Sequence, residues 1–341
     1  MSGHLDVRRA AATILAVLLL IAGGCREEQD NGARQPALDR DPLSARVALN
    51  EQTDSAWREV RAFDTGMARV RGIAVDRAEQ VYVAGDREVR VFDSSGRTVR
   101  RLELSAEPFA VAVTKEGRVW VAFDRHVEAY DKSGRTLAAG TKHGPRSALA
   151  GLAVTDDTVY AADAGLRLIH RYDRNLVHRD SLPGEAAARA DAELVVPSRY
   201  LDVAPGPGDL VFVLNPGRHR VDAYVRDRVA FSWGGPGRGE AEFVGCCNPI
   251  ALTVLPDGDV ITGEKGRVQV KRFSPEGELL DIIAGPEEYT EQTAACARRG
   301  LARLESGVDL AADRRGRVYV LEPCAAAVRV YAQRDEGGGH G

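Results

Sequence analysis

The feature that most constrains the fold is a unit that returns along the chain every roughly 40 to 50 residues. Residues 72–102 show it most clearly. Gly72–Val75, Val81–Val83, Val89–Phe92 and Thr98–Leu102 are short runs rich in β-branched and aromatic residues. Polar residues alternate with apolar ones inside the runs, and the clusters Asp76–Gln80, Gly85–Arg87 and Asp93–Gly96 separate them. Such a pattern describes half-buried strands joined by tight turns.

The same order of signals returns in Phe109–Val113, Val119–Val121 and Val127–Tyr130. It returns again in Gly151–Val154, Val159–Ala161 and Ile169–Tyr172, and in Tyr200–Val203, Val211–Val213 and Arg220–Tyr224. The last two copies are Ile250–Val254, Val260–Thr262 and Val268–Phe273, then Gly307–Asp313, Val318–Val320 and Val328–Tyr331. Six four-strand units at this period predict an all-β fold, a six-bladed β-propeller of four-stranded antiparallel blades. The sixth unit stops after its third strand, and Trp57–Gly66 precedes the first as a strand without a hairpin partner. The N-terminal strand is therefore expected to complete the last blade, which covers an exposed sheet edge and pins the ends of the ring together. One domain over residues 55–334 accounts for all six copies.

Asp76, Tyr82, Asp86, Phe92, Asp93 and Gly96 of the first copy, with His219-Arg220-Val221 of the fourth, are similar to the consensus of the NHL repeat. This resemblance covers residues 66 to about 334 and implies a six-bladed propeller. It implies no single activity, because the fold hosts binders, signalling modules and enzymes alike.

At the N-terminus, Arg8 and Arg9 precede the apolar run Ala10–Ile21, which ends in Ala22-Gly23-Gly24-Cys25. A basic start, a short apolar core and small residues before a cleavage point read as a secretory signal, too short to span a bilayer. The final four residues resemble the lipobox of bacterial lipoproteins, which implies a signal peptide over 1–24 and acylation of Cys25. Ala22 stands where that family usually has Leu, so an ordinary cleaved signal is the alternative. Residues 25–54 are charged and aperiodic and read as a flexible tether, and 335–341 as a disordered tail. A lipidated Cys25 predicts stable membrane attachment. Arg26 is not the Asp that retains enterobacterial lipoproteins at the inner membrane, so the outer membrane or cell surface is the expected location. With a formal charge of −4 the chain carries no basic nucleic-acid footprint, and a monomer that binds no nucleic acid is expected.

Three long connections, at about residues 179–199, 233–249 and 285–306, fall on the face where the chain enters the inner strand of each blade. Long loops in a compact repeat point to function. Arg125, His126, Asn215, Arg218, His219, Glu264 and Lys265 are the binding-face candidates there, although an Asp or Asn opening such a loop also serves simply to cap a turn. Cys246, Cys247, Cys296 and Cys324 map to the same face in copies five and six. Structural disulfides, with three possible connectivities, are one reading. A metal or iron–sulfur site and a redox-active pair are the others. No nucleophile elbow, His-Glu-x-x-His or phosphate-binding Gly loop is present, so no catalytic residue is assigned. The expectation is a binding or scaffold module without a cofactor, serving an envelope protein partner or a small polar ligand. The alternative is a redox or metal-dependent enzyme that uses the four cysteines, with a metal ion held by Cys.

Overall fold

The computed structural model describes residues 56–184, 193–290 and 307–334, together with residues 294, 296 and 298. The signal (1–24), the tether (25–54) and the tail (335–341) lie outside these residues. Strand β1 (Trp57–Asp64) comes first in the chain. Blade one follows as β2 (Val70–Val75), β3 (Val81–Gly85), β4 (Glu88–Phe92) and β5 (Thr98–Glu103). Blade two is β6 (Ala110–Val113), β7 (Val119–Ala122), β8 (Val127–Tyr130) and β9 (Thr136–Ala139). Blade three is β10 (Leu149–Val154), β11 (Val159–Asp163), β12 (Leu168–Tyr172) and β13 (His178–Leu182). Blade four is β14 (Val203–Pro205), β15 (Leu210–Asn215), β16 (Arg220–Val225) and β17 (Arg228–Gly234). Blade five is β18 (Ala251–Val254), β19 (Val260–Gly263), β20 (Val270–Phe273) and β21 (Leu279–Ala284). Blade six holds β22 (Asp309–Ala312), β23 (Val318–Glu322) and β24 (Ala327–Gln333), and β1 supplies its outer strand.

Every sheet is a four-stranded antiparallel meander, and the six inner strands neighbour one another in sequence order until β22 meets β2. The protein is a six-bladed β-propeller. β1 runs antiparallel to β24 from Trp57 opposite Gln333 to Asp64 opposite Ala327, with a bulge between Glu59 and Arg61. The bulge lets Trp57 and Glu59 face inward on one side of it and Phe63 on the other.

The core is distributed rather than central. Six apolar clusters lie between successive blades: Tyr82, Val91 and Leu102 of blade one meet Val111, Val119 and Tyr130 of blade two, and Phe212 and Trp233 of blade four meet Leu252 and Phe273 of blade five. Middle strands are buried on both faces, which explains continuous apolar runs such as Val81–Gly85; outer strands such as β17 alternate into solvent.

The turns repeat a simple chemistry. Asp93 and Asp131 each accept backbone N–H groups two and four residues ahead, and Asp173 does the same. Asp76 and Asp313 add the hydroxyls of Tyr82 and Tyr319. On the opposite face, the carboxylate or amide that opens the loop between second and third strands pins the chain approaching the inner strand. Asp86 accepts from Ala68 and Arg69, Asp163 from Ala148, Asn215 from Val195 and Glu264 from Val244.

Candidate functional site

Two connected spaces occupy the axis. A channel of about 270 Å³ runs between the six inner strands. Above it, on the face of the long connections, opens a cavity of about 690 Å³ lined by Arg69, Arg71, Phe109, Arg199, Tyr200 and Asp202 among others. Its size suits a small-molecule ligand.

The floor follows from strand register. The ladders place Gly72, Ala110, Gly151, Ala251 and Asp309 on one rung of the inner strands, and the Leu214 N–H, bonded to the Asp202 carbonyl just before β14, sets Asp202 at the same level. Four blades carry Gly or Ala there and two carry Asp. Each Asp reaches the next blade: Asp202 accepts the Leu252 N–H at 2.9 Å, and Asp309 accepts the Ile73 N–H at 2.8 Å. Gly151 leaves the room for Asp202, since a Cβ at 151 would stand 2.5 Å from its Oδ1. Both carboxyls line the lumen yet sit deep in the protein. Burial pushes the Asp309 carboxyl up to about 6, and burial with the neighbouring Asp309 charge pushes Asp202 well above the usual carboxylate range. The pair therefore retains a proton toward neutral pH.

The rim is cationic. Arg199 lies 3.6 Å from the centre of the Phe109 ring and Arg71 4.8 Å from it, two cation–π contacts that hold both guanidiniums at the lip. Arg199 also pairs with Asp124 at 2.8 Å, and Arg69 and Arg71 share Glu107 at 3.2 and 3.4 Å. Burial alone would raise Glu107, but the two arginines outweigh it and hold its carboxyl below the usual range. These three guanidiniums outnumber by one the two carboxylates they pair with.

The candidates chosen from the sequence divide between this rim and the protein interior. Lys265 is 8% exposed, with its Nζ 4.6 Å from the Tyr200 ring centroid and 3.3 Å from Ser198 Oγ, at the cavity edge. Arg125 lies 3.9 Å from Asp124. Asn215 and Glu264 are fully buried: the Asn215 amide donates to Asp222 at 2.8 Å, and Glu264 pairs with buried Lys271 at 2.7 Å while burial pushes its carboxyl up. His219 caps a short 3-10 turn, Pro216–Arg218, in the left-handed region at φ 54° and bonds the Gly245 carbonyl at 2.6 Å. His126 bonds Glu128 at 2.9 Å and stacks on Phe123. These four maintain the fold and do not converge on the cavity.

The cysteines split into two pairs. Cys296 and Cys324 form a disulfide with Cα atoms 4.9 Å apart, joining the connection into β22 to the β23–β24 loop. Cys246 and Cys247 carry free thiols, Cys246 exposed and Cys247 buried, with sulfurs 3.1 Å apart. Among the described residues, no group of three or more His, Cys, Asp or Glu side chains is placed to hold a metal ion.

Sequence reading missed two groups. Asp202 and Asp309 were visible as the two acids on a rung of small residues, but only once the copies are aligned by ladder register. The second is a histidine cluster: His143 stacks on His170 at 3.9 Å and meets the Tyr172 hydroxyl at 2.5 Å, while His170 bonds His178 and Asp163, both at 3.3 Å. His143 lies in the connection from blade two to blade three, where no periodic pattern marks it.

No family model matches the chain, and no curated protein matches its sequence. Solved structures match its fold. Virginiamycin B lyase from Staphylococcus aureus is similar at 11% identity and a TM-score of 0.55, over 81% of this chain and 99% of that one. A streptogramin B lyase is similar at 9% identity and 0.53, over 80% and 97%. A catalytically inactive virginiamycin B lyase from S. aureus with quinupristin is similar at 12% identity and 0.56, over 81% and 99%. At such identities the likeness shows the shared propeller fold alone.

Proposed function

We propose that this protein is a lipid-anchored, extracytoplasmic binding module that takes a small polar ligand carrying an anionic group over the channel mouth. The observation that carries the reading is the packing of Arg71 and Arg199 against one ring, Phe109, at the lip of the cavity. It holds two guanidiniums in fixed positions, the arrangement that favours carboxylate or phosphate. The Asp202–Asp309 pair below then meets a hydroxyl or ammonium on the same ligand. A concave site favours a small ligand over an envelope protein partner. On this reading the blades are of the NHL kind, supported by the repeated Asp–Tyr pairs of Asp76 with Tyr82 and Asp313 with Tyr319. Cys25 and the tether after it hold the propeller at a membrane surface.

Titration calorimetry with inorganic phosphate, succinate and glutamate tests the site. Removing one charge-assisted contact costs about 1.5 to 3 kcal/mol, and Arg199 is partly exposed, so Arg199→Ala is expected to weaken binding by about tenfold. Absence of binding by all three probes, or equal binding by Arg199→Ala, overturns the reading. The anchor is tested separately by labelling cells with an alkyne fatty acid: the wild-type chain takes up label and Cys25→Ala does not, and an unlabelled wild-type chain removes the anchor.

A further inference from the structure

Cys246 and Cys247 are adjacent, on the approach to β18, and the ligand site does not use them. Their sulfurs stand 3.1 Å apart, closer than ordinary non-bonded contact and about 1 Å short of a bond. The two thiols differ in every respect that matters to exchange chemistry. Cys246 is exposed and reachable by a disulfide from solution, whereas Cys247 is 2% exposed. Cys247 also accepts a hydrogen bond from Ser198 Oγ at 3.5 Å, and Ser198 in turn accepts one from the ammonium of Lys265. Burial alone would push the Cys247 thiol up, but hydrogen bonds from Lys265, Ser198 and Cys246 outweigh it and bring it below the ordinary thiol range. Cys246 moves the other way, raised by its hydrogen bond to Cys247.

We propose that Cys246 and Cys247 form a reversible dithiol–disulfide pair that exchanges electrons with external disulfides at the edge of the channel mouth. Cys246 sulfur attacks one sulfur of an external disulfide RSSR, giving Cys246–S–SR and one RS⁻, which takes up the proton that Cys246 gives up. The Cys247 thiolate then attacks Cys246 Sγ, forms the Cys246–Cys247 bond and expels the second RS⁻, which is protonated from solvent. Two electrons pass from the pair to RSSR, and the reverse sequence returns them.

The bond so formed is readily reduced. The peptide between the two residues is trans, so their Cα atoms lie about 3.8 Å apart. That is below the roughly 4.4 to 6.8 Å of unstrained disulfides, and strained or exposed disulfides are the labile ones. Cys296–Cys324, at 4.9 Å, falls inside the ordinary span and acts as a staple.

The test equilibrates the full chain with graded mixtures of reduced and oxidised glutathione, quenches with acid and alkylates. Tryptic fragment 239–265 contains both thiols and no other cysteine, so mass spectrometry reads the pair directly. The fragment is expected to pass from doubly alkylated to internally bonded within the glutathione range while Cys296–Cys324 stays oxidised. Cys247→Ser is expected to trap a glutathione mixed disulfide on Cys246, and Cys246→Ser to leave Cys247 free of glutathione. Lys265→Met is expected to slow alkylation of Cys247 in the Cys246→Ser background by about tenfold at neutral pH, with Lys265→Arg restoring it. A fragment that stays doubly alkylated at every ratio, or that accumulates mixed disulfide in the wild type, overturns the proposal. So does an alkylation rate indifferent to Lys265→Met.

Discussion

A buried cation reinforces ring closure, and Arg329→Met is the substitution that tests it. Arg329 on β24 donates from Nη1 to Glu59 of β1 at 3.1 Å and from Nε to Glu322 of β23, so it joins three strands of blade six. All three side chains are buried, and the guanidinium lies 5.3 Å from the Tyr289 ring centroid. Burial already pushes the Glu59 carboxyl up against the pull of Arg329. Removing the guanidinium removes the cation that offsets burial at Glu59, so the Glu59 carboxyl is pushed up further in the folded protein. Removing one partner from a buried ion network costs about 3 to 5 kcal/mol, and for a domain this large each kcal/mol moves Tm by about 2 to 4 °C. Arg329→Met is therefore expected to lower Tm by about 6 to 20 °C at pH 7. The sign with pH follows from a Glu59 pKa that is raised in the folded protein: the deficit is greatest near neutrality and shrinks as pH falls toward the unfolded value of 4.5, where the unfolded chain also takes up the proton. Adding Glu59→Leu and Glu322→Leu to Arg329→Met is expected to recover much of the loss, because the two carboxylates that Arg329 pairs with are then gone. Differential scanning calorimetry of the three proteins across pH decides the matter. A single variant that loses less than about 1 kcal/mol, or a triple variant less stable than the single one, refutes the role given to the network.

Two further outcomes follow from buried groups elsewhere. Burial and the neighbouring His170 depress His143 from 6.5 to about 4, so the unfolded chain binds more protons between those values and stability is lost as pH falls from 6.5 toward 4. Discounted for the partial exposure of the ring, the effect is about 1 to 2 kcal/mol; urea melts of the wild type and His143→Phe should diverge by that amount across the window, and parallel curves would remove the histidine cluster from the acid response. Gly151→Ala places a Cβ 2.5 Å from Asp202 Oδ1 and 2.8 Å from the Leu201 carbonyl, so it is expected to cost about 1 to 3 kcal/mol. It should also weaken glutamate binding in calorimetry, and an unchanged melt would show that the inner strands slide to accommodate it.

The propeller was legible because its causes are local and repeated. Period-two alternation sets which side of each strand is buried, and Asp-x-x-Gly turns such as Asp93–Gly96 reappear with the same backbone hydrogen bonds in the structure. The closing strand was legible for a related reason: an unpaired edge at each end of the chain leaves one economical pairing, and β1 takes it beside β24. The site was harder to read because position in a repeat does not say which way a side chain is used. Asn215 and Glu264 occupy the loop-opening position that looked like a ligand-facing rim, yet that position lies over the backbone approaching the inner strand, whose N–H groups would be left unpaired without them. A polar residue there is recruited inward. Of the residues that face the cavity, Arg71 and Phe109 belong to the regular units of blades one and two, and the others come from two places where the repeat breaks. Arg199 and Tyr200 end a long connection that has no counterpart in blades one and two, and Asp202 and Asp309 replace Gly or Ala on an otherwise small-residue rung. In a closed ring of like units the common residues serve the ring. The cavity combines residues of regular units with departures from the repeat, and the departures are identified only after register has aligned the six copies.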